Sequence, residues 1–227
     1  MLKAVIFDFD GVIVDTEPIH YEAFQNVLQP LGLGYSWDEY LDKYIGFDDR
    51  DAFREAFSSE GKTLGDALLS DLINRKAEVF EKIVQQGVQP YPGVIELVKA
   101  ISGKLPLALC SGALQRDITP ILEQFGLQEA FNVVITADDV RASKPDPESY
   151  LLSLQRLQQV FPVTSILPEE CIAIEDTPAG IASAVSAGIN VLAVTNSYQA
   201  ERLEGAIHIT DSLENVTIAV LQKILAC

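Results

Sequence analysis

Two carboxylates stand one residue apart near the start of the chain, in Val5-Ile6-Phe7-Asp8-Phe9-Asp10-Gly11, directly after an apolar run. If that run is a buried strand, Asp8 and Asp10 lie at its carboxyl end, where open α/β sheets bind ligands. Adjacent carboxylates in such a place repel one another unless a cation or a proton-transfer role offsets the charge. A second Asp-x-Asp, Asp49-Arg50-Asp51, falls in a polar stretch where a solvated helix start accounts for it. Three more strand-like runs are followed by polar groups of complementary kinds. The run ending at Cys110 delivers Ser111-Gly112-Ala113, a hydroxyl with small neighbours whose amides can open a helix and hold an anion; an ordinary helix cap reads the same way. Ser143-Lys144-Pro145-Asp146-Pro147 holds one cation between stiffening prolines. Glu175-Asp176-Thr177-Pro178 supplies a second acidic pair before a helix start, where an Asp could also serve as the cap. Four carboxylates, a hydroxyl with free amides and an ammonium suit a hard divalent cation such as Mg²⁺ beside a phosphate.

Those residues need a scaffold that brings distant segments to one edge. Five short apolar or β-branched runs, at 3–9, 105–110, 132–136, 171–174 and 190–195, alternate with helical patterns. This is the signature of a parallel sheet with crossover helices on both faces, and the continuous apolar character points to burial on both sides. Between the first and second runs lie about 95 residues without a convincing strand, far more than one crossover requires.

That stretch reads as helices. One begins near Thr16, with Pro18 in its first turn and Ile19, Phe24, Val27, Leu28 and Leu31 as an apolar stripe that Gly32 stops. Ser36-Trp37-Asp38-Glu39 has the form of a capping box, and further helices are expected over 50–57 and 64–86. Pro92 then precedes a packing helix with Val94, Leu97, Val98 and Ile101, ended by Gly103. The expected organisation is an α/β catalytic core of residues 1–15 and 89–227 with an all-helical cap over 16–88.

The 227 residues carry 48% hydrophobic side chains, which places the chain among globular proteins rather than disordered or disulfide-scaffold chains. Sixteen Lys and Arg against 33 Asp and Glu leave a formal charge of −17, a field that repels polyphosphate backbones and anionic membranes. No nucleic-acid or membrane partner is therefore expected. Three separated cysteines, Cys110, Cys171 and Cys227, fit a reducing compartment. The apolar N-terminus is too short for a secretory signal and no apolar run reaches the ~20 residues of a membrane span, so a cytoplasmic location is expected.

With Asp8-Phe9-Asp10-Gly11, Ser111, Lys144-Pro145 and Glu175-Asp176 in this order, the chain resembles the haloacid dehalogenase superfamily along essentially its whole length. The resemblance implies a Rossmann-like core and hydrolysis of a small phosphate monoester through an aspartyl-phosphate. Asp8 would be the nucleophile and Asp10 the general acid and base. Mg²⁺ would be held by Asp8, the Asp10 backbone carbonyl, Glu175 and Asp176, while Ser111, Gly112 and Lys144 bind the phosphoryl group.

The helical insertion is similar to that of the subgroup containing β-phosphoglucomutase and phosphoglycolate-type phosphatases, and 8–20 resembles the mutase-like branch. Thr16 and His20, four residues apart, share a helix face and could face a cleft, although His20 equally suits an interface. Arg50 and Lys76 could hold a distal anionic group of the substrate, although such cations are commonly solvated surface charges. A sugar-phosphate mutase is the nearest rival, because it needs a second phosphate site on the cap. The loop Gly46-Phe47-Asp48-Asp49-Arg50, with acidic neighbours around its Arg, weighs against it, while Lys76 and His20 favour it.

A 2-haloacid dehalogenase has no need of Asp10 or the acidic pair. A catalytically silent binding protein leaves the complete motif set without purpose. A metal-dependent glycosyltransferase lacks an evident nucleotide site, and neither Gly-x-Gly-x-x-Gly nor a P-loop occurs.

Overall fold

The computed structural model describes residues 1–45 and 47–226; Gly46 of the 46–50 loop and Cys227 lie outside the described residues. The chain divides into two compact units, one of residues 1–15 and 89–227 and one of residues 16–88.

In the first unit, β1 (Ala4–Phe7) is wholly buried, as its unbroken apolar sequence requires. The chain leaves this unit after residue 15 and returns at 89, and Val14 bridges Pro90 beside the exit. The intervening unit is helical among its described residues: α1 (Glu17–Leu28), α2 (Trp37–Glu39) running into a π-helical segment (Tyr40–Tyr44), α3 (Asp49–Ser59) and α4 (Asp66–Val84). Its core gathers Phe24, Leu28, Tyr35, Phe53, Phe57 and Leu72 from these elements.

Local chemistry explains the boundaries. Ser36 Oγ accepts from the Glu39 amide and starts α2, while Asp48 does the same for Asp51 at the start of α3. The α1 stripe ends earlier than its pattern predicts. The α-helix stops at Leu28, a 3₁₀ turn over Gln29–Leu31 follows around Pro30, and Leu31 is 39% exposed. Pro30 has no amide to continue the α-helical ladder.

The first unit resumes with α5 (Val94–Ile101), β2 (Leu107–Cys110), α6 (Gln115–Phe125), β3 (Val133–Ile135), α7 (Glu148–Val160), β4 (Cys171–Glu175), α8 (Pro178–Ser186), β5 (Asn190–Val194), β6 (His208–Thr210) and α9 (Ile218–Ile224). The six strands form one parallel sheet in the order β3-β2-β1-β4-β5-β6. The expected five strands are present. The sixth escapes the sequence pattern because it is three residues long and its side chains are exposed or half-buried at the sheet edge.

The order reverses at β1, which has β2 on one side and β4 on the other, creating the crevice at which such sheets bind ligands. Among the described residues no helix is long and apolar enough to cross a membrane.

Candidate active site

Strand register assembles the site. Phe7 aligns with Leu109 of β2 and Ile174 of β4, so the residues that follow, Asp8 and Glu175, emerge side by side, and Ser111 emerges just past β2. The Asp8 amide donates to the Ile174 carbonyl at 2.9 Å and locks this alignment. Beyond Asp8 the chain turns sharply: the Phe9 carbonyl accepts from Ile13 at 2.8 Å, and Gly11 donates to Val14.

Oxygens of Asp8, Glu175 and Asp176, all buried, lie within 4.8 Å of one another. Lys144 Nζ donates to Asp8 Oδ1 at 2.9 Å, to Glu175 Oε1 at 2.6 Å and to the Cys110 carbonyl at 3.1 Å. Ser111 Oγ accepts from the Ala113 amide at 2.9 Å and donates to Asp10 Oδ2 at 3.4 Å. All six polar side chains that the motifs supplied to the core therefore meet at one sheet edge.

The helix after Ser111 opens at Gln115 with Leu114 as its cap, so the Ser111-Gly112-Ala113 segment forms a turn rather than a helix start. The cap of α8 is Thr177, whose Oγ1 accepts from Gly180, and not Asp176. Capping α8 and joining the carboxylate cluster are thus divided between two residues.

The electrostatics follow from packing like charges in a dry place. Burial and the Glu175 charge push the Asp8 carboxyl up to about 8, with Lys144 only partly offsetting them. Burial works against the Lys144 ammonium, yet the Asp8 and Glu175 charges outweigh it and hold the group well above its ordinary range. One ammonium among these carboxylates leaves excess negative charge, and the donors are hard oxygens. This donor set fits a divalent cation of the Mg²⁺ type. Open space lies beside Gly112, where a Cβ would meet nothing within 4 Å.

Three contributors lie outside the motifs. Tyr150 of α7, wholly buried, donates to Glu175 Oε1 at 2.6 Å. Ser197 donates to Asp176 Oδ2, and Asn196 donates to the Gly11 carbonyl at 2.7 Å. The one sequence signal for the last two was a polar Thr195-Asn196-Ser197 run at the end of the fifth strand, the same sheet edge as the other motifs. A Cβ at Gly180 would come within 1.9 Å of Glu175 Oε2, so the carboxylate occupies the room a side chain would take.

In the helical unit, Thr16 precedes α1, and its carbonyl accepts from the His20 amide at 2.8 Å. His20 Nδ1 lies 2.7 Å from Lys76 Nζ, and the imidazole stacks on Phe80 at 4.5 Å. An ammonium can only donate, so Nδ1 is the acceptor and the ring proton sits on Nε2.

Lys76 departs from the expectation of a solvated cation. It is 0% exposed, bonded to Asp49 Oδ1 at 2.8 Å and set against the rings of Phe24 and Phe80. A lysine buried this deeply needs such partners. Arg50 is 31% exposed, and its Nε and Nη2 both bond Asp48 Oδ2, at 2.9 and 2.5 Å.

The sequence profile of the haloacid dehalogenase-like hydrolases matches residues 5–194. A phosphorylated carbohydrates phosphatase of Thermotoga maritima is 32% identical over 208 residues, 91% of this chain and 86% of its own length. A fructose-1-phosphate phosphatase of Escherichia coli is 30% identical over 190 residues, 84% of this chain and 95% of its own. The crystal structure of a β-phosphoglucomutase from Clostridium difficile aligns with a TM-score of 0.87 at 24% identity, over 100% of this chain and 98% of its own, a likeness of fold.

Proposed function

The chain belongs to the haloacid dehalogenase-like hydrolase family, and from that premise we propose that it hydrolyses a small phosphorylated metabolite, a sugar or organic-acid phosphate monoester, through an aspartyl-phosphate on Asp8. The observation that carries this reading is the buried meeting of Asp8, Glu175 and Asp176, with Lys144 bonded to the first two.

In the first half-reaction an Asp8 oxygen forms a bond to phosphorus as the ester P–O bond breaks, and Asp10 gives its proton to the departing oxygen. In the second, Asp10 takes a proton from water, the water oxygen attacks phosphorus, and the Asp8–phosphorus bond breaks to release inorganic phosphate. Ser111, the Gly112 backbone and Lys144 hold the transferring phosphoryl oxygens, which bear most of the charge in such a transition state. Mg²⁺ held by Asp8, the Asp10 backbone carbonyl, Glu175 and Asp176 would supply neutralisation of the carboxylate and phosphoryl charge. The 16–88 unit serves as the cap that excludes bulk water, with Thr16, His20, Arg50 and Lys76 as its substrate-side residues.

A sugar phosphate is the favoured substrate class, supported by what the Thermotoga and Escherichia relatives act on. Hydrolysis is favoured over phosphoryl transfer between substrate positions because both of these cap cations already engage carboxylates, Lys76 with Asp49 and Arg50 with Asp48. A mutase must instead clamp a second full phosphate on its cap. A cytoplasmic setting suits Cys110 and Cys171, which are both buried free thiols.

The test is a panel of sugar phosphates and small organic-acid phosphates with Mg²⁺, scoring released phosphate and isomerised product separately. Phosphate release without any bisphosphate activator is expected. Bisphosphate-dependent isomerisation of β-glucose 1-phosphate, with negligible phosphate release across the panel, would overturn the choice.

A further inference from the structure

Outside the motif residues, Tyr150 alone touches two charged groups of the site through different parts of its side chain. Its hydroxyl donates to Glu175 Oε1 at 2.6 Å, and Lys144 Nζ stands 5.2 Å from the centre of its ring. The same Glu175 oxygen accepts from Lys144 at 2.6 Å, so ammonium, carboxylate and phenol form a closed triangle.

We propose that Tyr150 is a positioning residue: its hydroxyl holds the Glu175 carboxylate in one orientation, and its ring face steadies the Lys144 ammonium. Three physical points carry the assignment. A fully buried phenol must place its O–H on an acceptor, and Glu175 is the acceptor it has. The carboxylate is confined on its other side by the backbone at Gly180, where a Cβ would meet Oε2 at 1.9 Å, so a donor on Oε1 completes the restraint. An ammonium over an aromatic face gains attraction without any hydrogen bond being diverted from Asp8 or Glu175. Tyr150 reaches this place from α7, whose other buried residues Leu154 and Leu157 fill the core beneath the sheet, so the helix is rigidly anchored.

The inference rests on the proposed metal-dependent hydrolysis only for its consequence, since the orientation of Glu175 is a property of the metal-free protein. Groups that orient a metal ligand typically alter affinity 10- to 100-fold when removed. Tyr150→Phe deletes the hydroxyl and keeps the ring; Tyr150→Leu deletes both.

The experiment compares crystal structures of the metal-free wild type and Tyr150→Phe, and titrates both with Mg²⁺ calorimetrically, with kcat and KM measured in parallel. Expected are a Glu175 carboxylate rotated away from its wild-type position and Mg²⁺ affinity weaker by ~10-fold or more, with the thermal midpoint nearly retained. Tyr150→Leu should in addition raise KM for the phosphorylated substrate, because Lys144 loses its ring. A Tyr150→Phe protein with unmoved Glu175 and wild-type Mg²⁺ affinity would show that Tyr150 only fills the core, and would overturn the proposal. If the wild type itself bound no Mg²⁺, the hydrolytic reading would fail, while rotation of Glu175 in the variant would still uphold the positioning role.

Discussion

A Cβ at residue 11 would stand 1.8 Å from Asp176 Oδ2, and Gly11 has a φ of +77°. The turn after Asp8 and the acidic pair after β4 therefore share one space that no side chain at residue 11 could enter. Gly11→Ala should displace Asp176 and weaken Mg²⁺ binding at least ~10-fold, a ligand-orientation effect. Gly126→Ala is the matched control, because φ is +65° there and a Cβ would meet nothing within 4 Å. The control should lose only the ~1–2 kcal/mol of left-handed backbone strain and keep its metal affinity. Equal Mg²⁺ affinities in calorimetry would show that the contact is immaterial.

Covalent catalysis predicts that Asp8→Asn is folded yet inactive and that intact-mass spectrometry of briefly reacted wild type finds one added phosphoryl group on Asp8. Asp10→Asn should lose at least ~10²-fold in kcat if it is the general acid and base. Unchanged kcat and kcat/KM across the pH profile would remove Asp10 from that role.

Chelation should abolish turnover, because buried carboxylates facing a phosphate dianion repel it without a cation. Asp176→Asn should shift the Mg²⁺ titration to higher concentration while far-UV circular dichroism stays unchanged. Full turnover in excess chelator would sink the mechanism.

The stability of the metal-free protein should fall as pH rises from about 4 to about 8. Asp8 titrates near 8 when folded against an ordinary 3.8, so over that window the folded state holds a proton that the unfolded chain has released. The contribution is fully present below the unfolded value and is lost as pH climbs through the folded one. Thermal midpoints of chelated wild type should therefore decline relative to those of Asp8→Asn between pH 5 and pH 8. Parallel curves would contradict the buried, charge-crowded carboxyl.

Asp49→Asn strips Lys76 of its counter-charge inside the helical unit, and breaking a buried pair on one side costs about 3 kcal/mol. Lys76→Met combined with Asp49→Asn should recover much of that loss in urea unfolding, since no lone buried charge is left. Arg50→Ala should raise KM or alter the substrate spectrum and leave phosphate release intact. Loss of transfer between substrate positions, with slow phosphate release surviving, would instead mark Arg50 as the clamp of a mutase.

Much of this protein was legible in its residues read in order. Asp8, Asp10, Ser111, Lys144, Glu175 and Asp176 each follow or adjoin a short apolar run, and runs of this kind in a crossover fold deliver their following residues to one edge. The helical stretch between the first two runs announced itself through Pro18, Ser36 and Gly32, because caps and breakers act on neighbouring backbone groups.

Other features were decided only by tertiary contact. β6 has no buried face to mark it, and Leu31 continues a helical stripe that the backbone abandons at Pro30. The burial of Lys76 depends on Asp49, 27 residues away, and on rings from two helices. Tyr150 and Ser197 join the site through oxygens of Glu175 and Asp176 that only the sheet register brings within reach. Sequence spacing governs bonds within a turn or a helix, whereas the partner of a buried polar group is selected by whichever remote segment packs against it.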